Sequence, residues 1–306
     1  MTKPRPLAKG DQVRVVSPAS PVERAKLDRG IALLEGQGYR VTLGKHALAA
    51  EGYLAGTDEQ RASDLNEAFA DPDVAGIVCS RGGYGCARLF PWLDLDACAA
   101  SRKLFCGFSD LTTLHLALNR RGLGTAHTPM LLTMSVDREP WVAESFLRLL
   151  AGSDPLAVAS PRATTVVPGA MEGTLTGGCL CLICDSIGTE DAIDANGKIL
   201  VIEDVDEAPH RVDAMLTHLL NAGIAQRAAG IVVGEMTRTD ERADPTIGAA
   251  PWREIVAERL GRLGCPLVID FPIGHAANQL SIPLGVRARL DADAGSLALT
   301  EPLCAH

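Results

Sequence analysis

The sequence predicts an α/β protein: an N-terminal, mainly parallel sheet flanked by helices, then a second, smaller and β-rich α/β domain. Three observations carry this expectation. Short apolar runs of the buried-strand kind alternate with helical periodicity from residue 12 to residue 150, the pattern of successive β-α-β units. Between residues 153 and 172 the periodicity fades into Ser, Pro, Ala and Thr, the composition of a linker. A second alternating set follows and closes with Leu280 to Leu299, which alternates as antiparallel hairpins do. The expected division is 1–152, a linker over 153–172, and 173–306.

Gln12-Val-Arg-Val-Val-Ser17 is the first strand, and Pro18-Ala-Ser-Pro21 is a turn stiffened by its prolines. A helix then runs to about Tyr39, with Leu27, Ile31 and Leu34 on one face and Gly38 as its stop. Arg40–Leu43 is a second strand. Thr57-Asp-Glu-Gln60 has the form of a capping box and opens a helix that carries Leu65 and Phe69 inward. After Asp71-Pro72, Val74-Ala-Gly-Ile-Val-Cys79 reads as a strand buried on both faces. Further on, Pro140–Leu150 is a helix with Val142, Phe146 and Leu149 inward. In the second half, Lys198–Glu203, Gly230–Gly234 and Leu267–Asp270 are strands. Pro209–Asn221 and Trp252–Leu263 are helices, and Asp293-Ala-Gly295 is a hairpin turn.

Composition limits the function. A chain of 306 residues that is 47% hydrophobic and 22% charged is long enough for one or two domains with real cores. No window approaches the roughly 18 apolar residues of a membrane helix, and no apolar segment follows the basic N-terminus, so neither a membrane span nor a secretory signal is expected. A formal net charge of −9 argues against nucleic acid or an anionic membrane as partner. Nine scattered cysteines, mostly within apolar runs, read as reduced core residues of a cytoplasmic protein. Cys179-x-Cys181-x-x-Cys184 has the look of a metal knuckle, but no second ligand pair stands at zinc-finger spacing, so no metal is expected.

Four stretches carry chemistry. Lys103-Leu-Phe-Cys-Gly-Phe-Ser109-Asp110 passes from a short apolar strand through glycine to a serine, and Leu111, Leu114 and Leu118 then recur at helical spacing. A strand feeding a helix through a sharp turn holds a nucleophilic serine clear of the backbone, and the residue after it offers an N–H to an oxyanion. Ser109 is thus a candidate nucleophile; its other reading is a plain helix N-cap. Arg81-Gly-Gly-Tyr-Gly85 follows a buried strand, and its glycines let backbone N–H groups approach an anion or oxyanion. It lacks the third glycine of a dinucleotide fingerprint, which weakens a nucleotide-dependent oxidoreductase. Glu203-Asp-Val-Asp-Glu207 closes a strand with four carboxylates, suited to a divalent cation or to a solvated helix flank. His275 follows a buried strand and Gly274. Serine, glutamate and histidine therefore each stand at a strand's carboxyl end, with complementary roles for a hydrolase.

Together, Arg81-Gly-Gly-Tyr-Gly85, Gly107-Phe-Ser-Asp110, Glu203-Asp204 and Gly274-His275 resemble the LD-carboxypeptidases, the serine peptidases of bacterial murein recycling, and the related microcin immunity peptidases. Gly10-Asp11, Pro18-Ala-Ser-Pro21, His127-Thr-Pro-Met130, Gly177-Gly178 and Pro283-Leu-Gly285 extend the resemblance over nearly the whole chain. It implies Ser109 as nucleophile, His275 as general base and Glu203 as the carboxylate that orients it, with an oxyanion hole from the N–H groups of Asp110 and Gly83. It also implies a cytoplasmic enzyme without cofactor, a homodimer, acting on the amide between a diamino acid and terminal D-alanine of murein tetrapeptide. Arg81, with Gly82 and Tyr84 of the same loop, is the candidate for substrate contact; Arg81 either takes the terminal carboxylate or braces the loop. Two departures stand out: Cys179 where the family usually has asparagine, and Thr128 where it usually has glycine. The competing readings are the same triad acting on a peptidyl-nucleotide, and a ligand-binding module without catalysis.

Overall fold

The structure, a computed structural model, describes residues 1–305. The chain divides into two compact units, and the α/β class read from the sequence holds in both. The first unit comprises Met1–Val158, Leu280–Gly285 and the residues from Pro302 onward. Its strands are β1 (Gln12–Val16), β2 (Arg40–Leu43), β3 (Val74–Cys79), β4 (Leu104–Gly107) and β5 (Thr125–His127). They form a parallel sheet ordered β5-β4-β3-β1-β2, and Ile282–Leu284 adds an antiparallel edge against β5. Its helices are α1 (Arg24–Gly36), α2 (Asp58–Ala70), α3 (Leu95–Ala100), α4 (Thr112–Arg120) and α5 (Pro140–Leu150). All six residues of β3 are buried, as a strand covered on both faces requires.

Local chemistry explains these boundaries. The capping box is present: Thr57 Oγ1 accepts the Gln60 N–H at 3.2 Å and Gln60 Oε1 accepts the Thr57 N–H at 3.0 Å. Leu65 and Phe69 then face the core. Pro140 occupies the first turn of α5, where its missing N–H costs nothing. Helix α3 is absent from the sequence reading; its six residues are too few to show a period, and its start is set by Asp94, which accepts the Ala97 N–H at 2.9 Å.

The second unit comprises Ala159–Gln279 and Val286–Glu301. It holds β6 (Thr164–Val167), β7 (Ala170–Cys179), α6 (Leu180–Ser186), β8 (Ile199–Val205), α7 (Pro209–Asn221), β9 (Gly230–Thr237), α8 (Trp252–Leu260) and β10 (Leu267–Ile269). With β11 taken as Ile282–Leu284 of the first unit, β12 (Arg287–Asp291) and β13 (Ser296–Leu299) complete the chain. The sheet order is β13-β12-β7-β8-β9-β10-β6, parallel from β7 to β10 and antiparallel outside them.

Two stretches differ from expectation. The segment 153–172 contains β6 and the start of β7, whose Ser, Thr and Gly content hides edge and glycine-rich strands from a hydrophobic pattern. Of Leu280–Leu299, only β12 and β13 form a hairpin, through the turn at Asp293–Gly295; β11 instead joins the first unit's sheet.

Thr57→Ala removes one half of the capping box and is expected to lower stability by about 1 kcal/mol. Urea denaturation would read this as a lower midpoint with unchanged slope; an unchanged midpoint would show that the box contributes nothing.

Candidate active site

In the first unit, β4 ends at Gly107, Phe108 is extended, and Ser109 turns the chain with φ of 65°. Ser109–Leu111 form a single 3₁₀ turn that runs into α4. A non-glycine residue in this left-handed region costs on the order of 1 kcal/mol and persists only where its surroundings impose it. An N-cap serine would have an extended backbone, so Ser109 adopts the sharp strand-to-helix turn instead.

The surroundings are identifiable. Because β3 and β4 are adjacent and parallel, the loop after β3 stands beside the turn after β4. Gly82 of that loop comes so close that a Cβ on it would lie 2.9 Å from the Ser109 Cβ and 3.1 Å from its Oγ. Asp110 ties turn to loop: its Oδ2 accepts the Cys86 N–H at 2.8 Å. From the far side, the Ser20 N–H donates to the Gly82 carbonyl at 3.3 Å, and Ser20 Oγ accepts the Tyr84 N–H at 3.3 Å. The buried Arg61 guanidinium donates to the carbonyls of Pro18 and, at 3.0 Å, Gly85. Below the serine, buried His115 holds the Gly107 carbonyl through Nε2 at 2.8 Å and meets Thr125 Oγ1 through Nδ1 at 3.0 Å. Burial pushes its pKa down to about 3, so it is a neutral strut.

The other loop residues fall into place with less chemistry. Gly83 has φ of 122°. Arg81 donates from Nη1 to the Pro21 carbonyl and from Nε to the Gly82 carbonyl, both at 3.2 Å, which are bracing contacts. Tyr84 is 52% exposed, and its ring lies 5.9 Å from that of Tyr53, itself 62% exposed.

In the second unit, Glu203 lies in β8 and is fully buried. His275 follows β10 in a loop, and its Nδ1 lies 2.7 Å from Glu203 Oε2, which also accepts the His275 N–H at 3.1 Å. Gly274 makes this possible: φ is 80°, and a Cβ there would overlap the Glu203 carboxylate. Burial works to lower the His275 pKa, but the charge and hydrogen bond of Glu203, with Asp204 and Asp206 behind, outweigh it and hold the imidazole above its ordinary value. The remaining carboxylates diverge. Asp206 pairs with Arg238 at 2.6 Å and Arg242 at 2.7 Å, and Glu207 approaches Arg211 at 3.8 Å. Asp204 is buried against Cys179 and Cys181; burial first and then the Glu203 charge push its pKa up to about 6. The four acids therefore do not share one cation.

Ser109, Gly82, Gly83, Asp110, Glu203 and His275 are candidates from the sequence, which does not disclose the contacts made by Arg61, His115 or the Asp110 side chain. Arg61 reads as an ordinary polar residue of a helix, and no local pattern marks it as buried.

Comparison with known proteins gives consistent matches. Residues 13–128 match the LD-carboxypeptidase N-terminal domain, and residues 172–290 the LD-carboxypeptidase C-terminal domain. The chain is 35% identical over 294 residues to the murein tetrapeptide carboxypeptidase of Pseudomonas aeruginosa, covering 92% of this chain and 93% of that protein. Among solved structures, the muramoyltetrapeptide carboxypeptidase from Oxalobacter formigenes is similar with a TM-score of 0.79 and 29% identity, over 94% of this chain and 97% of that one. MccF in complex with glutamyl sulfamoyl guanosine is similar with a TM-score of 0.89 and 25% identity, over the whole of both chains.

The raised His275 pKa is directly measurable. Its ring resonances are expected to titrate above about 6.5 in the protein as it stands, and at lower pH in Glu203→Gln, where the largest favourable charge is gone. An unshifted midpoint in that variant would show that the carboxylate does not govern the imidazole.

Proposed function

We propose that this chain, which belongs to the LD-carboxypeptidase family, is a serine carboxypeptidase that cleaves the L,D-amide bond between the diamino acid and the terminal D-alanine of cytoplasmic murein tetrapeptide. The observation that carries this reading is Ser109 in its left-handed turn under Gly82, in a chain that also holds a buried carboxylate–imidazole pair in Glu203 and His275.

In this mechanism neutral His275 takes the Ser109 hydroxyl proton as Oγ attacks the carbonyl carbon. Glu203 fixes the tautomer, accepting from Nδ1–H so that Nε2 acts as the base, and stabilises the imidazolium that forms. The N–H groups of Asp110 and Gly83 are the proposed donors to the tetrahedral oxyanion, each worth roughly 3 kcal/mol in a dry site. Collapse of the intermediate breaks the C–N bond, and His275 returns its proton to the departing amine of D-alanine. Water then attacks the acyl-enzyme with His275 again as base, releasing the tripeptide and restoring Ser109. The bracing contacts of Arg81 to Pro21 and Gly82 favour a loop-holding role for it over a carboxylate clamp.

A second reading, hydrolysis of a peptidyl-nucleotide amide, is favoured by one observation. Tyr84, beside the proposed oxyanion donor Gly83, forms with Tyr53 an exposed aromatic surface on which a base can stack. The likeness to MccF, solved with a glutamyl sulfamoyl nucleoside, agrees with it.

Mass spectrometry of reactions with murein tetrapeptide and with a glutamyl sulfamoyl nucleoside separates these readings. Release of D-alanine by the unaltered protein, with turnover at least about 10³-fold lower in Ser109→Ala, is the expected result. Because the base must be neutral and its pKa is raised, kcat/KM is expected to fall on the acid side of a midpoint above about 6.5. Turnover of the nucleoside alone would replace murein by the second substrate, and turnover of neither would leave a binding module.

A further inference from the structure

Cys179-x-Cys181 takes no part in the chemistry above, yet the fold converges on it. Strand β7 ends at Cys179, and Cys181 stands in the first turn of α6, so that their sulfurs lie 3.4 Å apart. Strand β8 runs parallel beside β7 and brings Asp204 to the same point. The Cys179 thiol is 3.4 Å from Asp204 Oδ1, and the Cys181 N–H donates to Asp204 Oδ2 at 2.9 Å. The two sulfurs and a carboxylate oxygen all lie within 4.8 Å of one another. Cys184, the third cysteine of the motif, is turned away toward the Met215 carbonyl at 3.5 Å.

We propose that Cys179, Cys181 and Asp204 form a binding site for a soft divalent cation of the Zn²⁺ or Cd²⁺ kind. Two thiolates select such an ion over Mg²⁺ or Ca²⁺, which demand six or more oxygens, and one carboxylate completes a three-ligand set that leaves the fourth tetrahedral position for water. With metal–sulfur bonds of about 2.3 Å, a tetrahedral site spaces its sulfurs by about 3.7 Å, so the thiols need to part by only a few tenths of an ångström. Cys179 and Asp204 are buried while Cys181 is partly exposed, which gives the ion a way in. Binding releases the two thiol protons, and the cation takes the place of the proton now between Cys179 and Asp204. The site keeps its own support: the N–H groups of Cys181 and Val205 remain on the Asp204 carboxylate, the latter at 2.8 Å. The sequence pattern alone does not disclose this set, because Asp204 is far from the cysteines in the chain.

The test is a Cd²⁺ titration of the full, reduced chain, read by the ultraviolet thiolate-to-cadmium charge-transfer band, a signal independent of any hydrolytic activity. The band is expected to saturate at one equivalent, to disappear on addition of excess Zn²⁺, and to persist in millimolar Mg²⁺. Cys181→Ser, at a partly exposed position that leaves the core intact, abolishes it. Asp204→Asn weakens binding by about tenfold or more. Cys265→Ser, which removes the other partly exposed thiol, leaves it unchanged. No band at stoichiometric Cd²⁺, a full band in Cys181→Ser, or its loss in Cys265→Ser would overturn the assignment.

Discussion

One backbone constraint governs the first unit: the chain must leave β4 and enter α4 by reversing at a residue that carries a side chain. Ser109 meets it with φ of 65°, and its neighbours hold the chain on either side of it. Gly82 leaves the space, the Asp110 carboxylate fastens the loop across it, Arg61 anchors the loop's far end, and His115 holds the carbonyl just before the turn. The parallel pairing of β3 with β4 places the two carboxyl-end loops side by side, the position at which open α/β sheets hold their ligands. Strain at one residue is thus held by contacts drawn from α2, the loop after β3 and α4, as well as from the turn itself.

The second unit is organised by an electrostatic constraint of the same kind. Glu203 is wholly buried, and its Oε2 accepts the His275 backbone N–H and lies 2.7 Å from the His275 ring nitrogen Nδ1. Gly274 allows the loop after β10 to come that close. The neighbouring acids are separated by function: Asp206 is satisfied by two arginines, while Asp204 faces the thiols of Cys179 and Cys181. The field at His275 is therefore negative on balance, which favours a proton-accepting imidazole.

Much of this was legible in the sequence. Strands β2 and β3, the capping box of α2, and helices α5 and α7 follow directly from period, caps and prolines. The candidate site residues stand out in the sequence because Gly107, two positions before Ser109, and Gly274, immediately before His275, mark backbone turns after strands. What escaped has physical reasons. Strand β7 is built partly of glycine and threonine, and its register comes from pairing with β8 and β12 rather than from its own hydrophobicity. Strand β11 reads as part of a local hairpin, but its partner β5 lies over a hundred residues away. Arg61 and the Asp110 carboxylate act through contacts made only after folding, so their spacing carries no signal.

The central claim is that Ser109 is a nucleophile activated by His275. Labelling with a fluorophosphonate, followed by peptide mapping, tests it without knowledge of the substrate. The account predicts a single adduct on Ser109, absent in Ser109→Ala and formed orders of magnitude more slowly in His275→Ala. An adduct on another residue, or labelling of Ser109 at an undiminished rate without His275, would contradict it.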